Sequence, residues 1–263
     1  MIGRVYAIAL NTFREAIRQK VLYGILVVVV VVNLFGLVLG AMSLDQEDRI
    51  SRDIGLGGVQ LFGAFTAMYL GVSLLYGEIQ RKTIYTIVSK PIERYEFVLG
   101  KYAGMAATLT LLVLLFTLAM VGLLWLQDVP FTAALVKALS LAFMEVLIVA
   151  AVAVFFSSFS TPFLSGIFTF VVFFLGRVTP EIRSAVESAR WSWVRTVCDG
   201  VLKIIPDLHV FSVSGSTAEG AHVSIHGGFV TWSYVGTAGG YAGLTIAALL
   251  LLSILIFSRR NFV

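Results

Sequence analysis

The chain has 263 residues, 59% of them hydrophobic and 13% charged, with a net charge of +4 and a mean hydropathy of +0.95. Soluble domains carry about 25% charged and about 45–50% apolar residues, so the composition excludes an ordinary soluble enzyme or nucleic-acid-binding module and predicts a polytopic membrane protein. The single cysteine, Cys198, excludes an internal disulfide and a cysteine metal cluster.

Residues 1–20 lack the apolar core of a signal peptide, because Val5–Leu10 is short and charged residues follow it. On a helical wheel Ile2, Val5, Tyr6, Ala9, Phe13, Ala16 and Ile17 share one side, and Arg4, Asn11, Arg14, Glu15 and Arg18 the other, with Ile8 off the pattern. That distribution predicts an amphipathic helix lying in the membrane interface. Val21–Met42 is the first predicted span, long enough for a hydrocarbon core of ~30 Å. An acidic loop, Leu44–Asp53, leads to the second span, Gly55–Tyr76.

A basic stretch, Glu78–Lys101, interrupts the apolar runs. Glu78–Ser89 has room for about three helical turns, and Pro91 disfavours helix at the residue before it. The apolar residues of this short helix are scattered around it, which suits a protein socket better than a lipid surface. Glu93–Leu99 feeds the third span, Val98–Leu126, which is long enough to extend out of the lipid. Gln127–Pro130 is a turn, Phe131–Phe159 the fourth span, and Pro162–Val178 the fifth, opened by a proline at its first turn.

Thr179 is the predicted N-cap of the next helix, with Pro180 at its first position. Ile182, Val186, Ala189, Trp193, Val197, Val201 and Ile204 form an apolar stripe, which predicts one amphipathic helix or a broken pair, with Trp191 and Trp193 at headgroup depth. Gly215–Gly228 is Gly- and Ser-rich and reads as a mobile loop. His222 and His226 have a metal-like spacing only on a helix, which the surrounding glycines oppose. The sixth span lies in Thr231–Phe257, before a basic-aromatic tail.

With the N-terminus inside, the inner segments carry more Lys and Arg (Arg4, Arg14, Arg18, Lys20, Arg81, Lys82, Lys90, Arg94, Lys101, Arg259 and Arg260) than the outer ones. The outer segments carry Arg49, Arg52, Arg177, Arg183, Arg190, Arg195 and Lys203. The bias predicts both termini in the cytoplasm, with residues 78–101 on the same side.

Within the spans Glu145 is the deepest charge; it either lines a translocation path or bonds neighbouring helices. Lys137 is close enough to a helix end to reach outward. Glycine pairs at i, i+4 (Gly36/Gly40, Gly100/Gly104, Gly236/Gly240, Gly239/Gly243) permit close helix approach, more often inside a chain than at a dimer seam.

The order Glu78, Arg81, Thr83, Ser89, Pro91, Arg94, Leu99-Gly100-Lys101 resembles the signature of ABC-2-type ABC transporter permeases. Thr12-Phe13-Arg14-Glu15-Ala16 resembles that family's connecting helix, and Ile205-Pro206-Asp207-Leu208 the stretch before its last span. Lys82 departs from the pattern, since many members have glycine there. The resemblance implies one all-α transmembrane domain over 1–263, with six transmembrane helices, a connecting helix (1–20), a cytoplasmic coupling region (78–97) and short extracytoplasmic helices (179–230). It implies a permease subunit of an ATP-binding cassette exporter in a bacterial inner membrane, working as a homodimer with two ATPase subunits. Glu78, Arg81, Lys82, Thr83 and Arg94 would contact the ATPase, Pro91 would set the exit angle, and Trp191, Trp193 and Pro206 would belong to an exit gate.

No Gly-x-x-x-x-Gly-Lys-Ser/Thr occurs in the sequence, so ATP and Mg would be held by the partner ATPase and this chain carries no cofactor of its own. Two rivals stay open: an ion-coupled carrier using Glu145, and a membrane anchor that transmits force without moving a solute. His-Glu-x-x-His and Gly-x-Ser-x-Gly are absent from the sequence, which disfavours a hydrolase.

Overall fold

The computed structural model describes residues 2–42, 47–80, 93–126, 131–187, 192–212, 215–216, 222–223 and 230–259. Among them, the predicted all-α architecture is what forms. In chain order the helices are α1 (Ile2–Ile17), α2 (Lys20–Ala41), α3 (Glu47–Gln80), α4 (Arg94–Leu126), α5 (Ala133–Ser157), α6 (Pro162–Arg177), α7 (Thr179–Glu187), α8 (Ser192–Ile204) and α9 (Trp232–Arg259). A 3-10 turn, His209–Phe211, precedes α9.

Five of these helices are long and apolar enough to cross a membrane: α2, α3, α4, α5 and α9. A sixth span exists if α6 and α7 count as one, bent by 67° at their junction. Two boundaries differ from the sequence reading. Residues 47–53, expected in a loop, are the first turns of α3, and Ser51 and Arg52 are buried there. The acidic residues that suggested a loop suit a helix N-terminus, where the backbone dipole favours negative charge. At its other end α3 continues through Glu78 to Gln80 rather than stopping at Tyr76.

Helix α5 is central. Its sequence is apolar all round and rich in alanine, as a helix packed on every side should be, and Ala138, Leu141, Ala142, Ile148, Ala150 and Ala151 have no exposure. Helix α3 lies along it through two glycines. A Cβ at Gly63 would stand 2.7 Å from Val146 Cγ2, and one at Gly71 would collide with the Ala153 side chain. Helix α9 packs on α5 with Gly239 against Met144, and Tyr102 of α4 donates to the Leu147 carbonyl of α5 at 3.1 Å. Lys137 donates to the Val230 carbonyl at 2.7 Å, with its ammonium over the Trp232 ring, so it secures the entry to α9.

Helix α1 is amphipathic as expected, but its inner face meets protein. Thr12 and Ala16 are buried while Tyr6 is exposed. Ile8, off the expected stripe, is the side chain that a Cβ on Gly100 would strike. Gly100 and Gly104 of α4 open a groove for α1: a Cβ at Gly104 would stand 2.5 Å from the Ala9 carbonyl oxygen. This glycine pair serves packing within the chain. Gly236, Gly240 and Gly243 meet nothing within 4 Å.

The stretch after α6 is a broken pair, α7 and α8. Thr179 does not cap α7. Its hydroxyl donates back to the Leu175 and Gly176 carbonyls of α6, at 3.0 and 3.1 Å, satisfying acceptors that the bend leaves exposed. The apolar stripe divides too, for Val186 is buried whereas Val197 and Val201 are exposed on α8. Part of the predicted loop is paired: Gly215 lies opposite Val223 and Ser216 opposite His222 in a short antiparallel ladder. The turn expected at 127–130 lies outside the described residues.

Candidate functional site

Two polar clusters stand out, one at an end of the bundle and one at its middle. The first gathers around the start of α4, where the basic stretch re-enters the helices. Arg94 donates to the carbonyls of Phe257 and Ser258 at 3.0 and 2.6 Å. Those carbonyls belong to the last turn of α9, which lacks intrahelical donors and carries the negative end of the helix dipole. One turn on, the Phe97 ring stacks on Phe257, with centroids 5.9 Å apart and planes 15° from parallel.

The same turns of α4 hold α1. Glu96, nearly fully buried, accepts from its own Glu93 backbone N–H at 3.3 Å and lies 3.7 Å from Arg4. Lys101 is buried, with its ammonium 3.7 Å from Glu15 and 5.9 Å from the Phe97 ring centroid. Sequence reasoning counted Lys101 as a solvent-facing charge. Burial is possible because Gly100 and Gly104 let α1 cover it, and its stem packs while its head finds a carboxylate. Thus α1, α4 and the end of α9 form one clasp around the first turns of α4.

Of the residues expected at an ATPase contact, Glu78 lies in the last turn of α3 and Arg94 opens α4. Arg81, Lys82, Thr83 and Pro91 lie outside the described residues. The described bonds of Arg94 run to this chain's own last helix.

The second cluster lies within the bundle. Glu145, the thirteenth residue of the 25-residue α5, has no exposed surface. Arg177, the last residue of α6, donates from Nη1 to Glu145 Oε1 at 2.7 Å and from Nη2 to Gln60 Oε1 at 2.7 Å. Helix α6 has 16 residues, a rise of about 24 Å, so it ends near the level of Glu145 and its terminal arginine can reach inward. Glu145 Oε2 is buried without a hydrogen-bond partner among the described residues, an arrangement costing about 1–3 kcal/mol.

Of the two readings of Glu145, the geometry is that of a group bonded between helices. The sequence did not reveal its partners. Arg177 was counted with the outer cations because it ends an apolar run, and Gln60 went unnoticed as a lone amide in one. Trp193 lies on α8, and Trp191 lies outside the described residues. Pro206 lies against the α6–α7 junction, where a Cβ on Gly176 would stand 2.6 Å from its carbonyl oxygen. Among the described residues, no group of three or more His, Cys, Asp or Glu side chains is placed to hold a metal ion.

Five long apolar helices, a bent sixth and paired intramembrane charges define a multi-pass helical membrane protein. Compared with known families, residues 6–261 match the ABC-2 family transporter proteins. The chain belongs to this family and is a permease of an ABC transporter. No curated protein matches it. Membership sets aside the ion-coupled carrier reading.

Proposed function

We propose that this permease converts ATP-driven movement of a separate ATPase into export across a bacterial inner membrane. Two copies pair with two ATPase subunits, which bind ATP and Mg, and both termini face the cytoplasm. Residues 78–97 seat in the ATPase, with Glu78, Arg81, Lys82 and Thr83 in contact and Pro91 fixing the exit angle. Arg94, in this reading, anchors the stretch to α9 at the edge of the contact. Residues 179–230, including Trp191, Trp193 and Pro206, gate the outer exit.

The observation that supports this most is the clasp. A displacement of residues 81–92 enters α4 at Arg94, and from there it passes to α1 through Glu96, Gly100, Lys101 and Gly104 and to α9 through Arg94 and Phe97. Packed elements joined in this way shift as a body between discrete arrangements. The test is co-purification of a Walker-A ATPase with the permease. Arg81→Glu and Glu78→Arg should each lower its recovery severalfold; full recovery with both variants removes the coupling role.

A further inference from the structure

The buried network does not end at the helices. Gln60, which accepts from Arg177, donates from Nε2 to the Phe211 carbonyl at 3.1 Å. Phe211 closes the 3-10 turn, and its side chain is fully buried with the ring centroid 6.2 Å from that of Tyr241. Three further bonds hold the same segment. The Leu208 N–H donates to the Gly176 carbonyl at 3.0 Å. The Asp207 N–H donates to the Tyr241 hydroxyl at 2.9 Å, and the Tyr234 hydroxyl donates to the Val210 carbonyl at 2.6 Å.

Residues 207–211 are therefore docked through their backbone on α3, α6 and α9. The last two residues of α6 act together: Gly176 receives the segment on its main chain, and Arg177 fixes the amide that holds the segment's other end. If α6 moves away from α3 and α5, Arg177 leaves both Glu145 and Gln60. Gln60 Oε1 then loses its donor, and nothing orients Nε2 toward Phe211. In a buried setting each unmade bond is costly, so docked and released arrangements are discrete.

We infer that Glu145, Arg177 and Gln60 form a latch that holds residues 207–211 on the bundle and releases them when α6 shifts against α5. All three are positioning residues. The inference rests on the reading of residues 179–230 as an exit gate, and its test separates the two.

The experiment is hydrogen–deuterium exchange of the full-length permease with its ATPase in lipid nanodiscs, followed in peptides covering 205–212. Gln60→Glu still accepts from Arg177 but has no hydrogen for Phe211; Gln60→Met loses both bonds. Both should speed exchange in 205–212 by about tenfold, the size of one buried hydrogen bond, while Gln60→Glu leaves α5 peptides around Glu145 at the wild-type rate. Tyr241→Phe, which removes an independent bond to the same segment, should speed it as well and carries the test if Gln60→Met does not fold. Wild-type exchange in 205–212 for Gln60→Glu and Tyr241→Phe overturns the latch. In the wild type, ATP with vanadate should speed exchange in 205–212 toward the Gln60→Glu rate. Loosening in the variants without that response to ATP upholds the docking, overturns its release during turnover and counts against the gate reading.

Discussion

Near Glu145, Arg177 makes two bonds of 2.7 Å to buried partners; at the clasp, the ion pairs Arg4–Glu96 and Lys101–Glu15 each span 3.7 Å. Each ion pair has one buried and one partly exposed member, and Arg4 is the most exposed of them. Glycines bring helices close at both places: Gly100 and Gly104 seat α1 on α4, and Gly63 seats α3 on α5 beside Glu145. What differs is the charge. At the clasp long ion pairs add little to a geometry that packing already fixes, whereas at the end of α6 two short bonds from one arginine tie that helix to α3 and α5, and each depends on its partner.

The largest effect that would break this comparison lies in the buried network. Arg177→Met leaves Glu145 without its counter-charge and should cost about 3–5 kcal/mol, while the double variant with Glu145→Leu should recover most of that loss. Unfolding of both in the same detergent measures it; losses that simply add would show that the two side chains do not act as a pair. Next is Gly104→Val. Overpacking against the Ala9 carbonyl should cost about 1–3 kcal/mol and loosen α1, exposing residues 2–17 to limited proteolysis; wild-type protection would mean that the groove is not what seats α1. The smallest effect is Arg4→Gln. An ion pair this exposed should contribute less than about 1 kcal/mol and nothing measurable in ~1 M salt, where screening acts within ~3 Å. The cost of Arg177→Met should persist at that salt, and equal salt sensitivity would erase the distinction between the clusters.

Most of the architecture was legible because a span is a local property: about 20 apolar residues in a row satisfy the bilayer wherever the rest of the chain goes. Pro162 marked the start of α6 for a similarly local reason. Residues 47–53 misled because the same charges suit a loop or a helix start. Glu145 announced itself as a lone charge, but its partner Arg177 lies 32 positions away, and Gln60, which shares that arginine, lies 117 positions before Arg177. Single-sequence periodicity carries no information at such separations. Ile8 and Lys101 were misplaced for the same reason, since their burial follows from glycines on another helix.

The shortness of α6 has a consequence for the surrounding membrane. Its outward surface, with Phe163, Phe168, Phe170 and Phe174, is exposed from the bundle, and α7 beyond the bend carries exposed Glu181 and Arg183, so it adds no apolar height. A 16-residue helix falls about 6 Å short of a ~30 Å hydrocarbon layer, while α4 and α9, of 33 and 28 residues, exceed it. The protein thus presents lipid with a wall of uneven height. Each ångström of mismatch costs a fraction of a kcal/mol, so a thinner bilayer fits beside α6 better than beside α4 or α9.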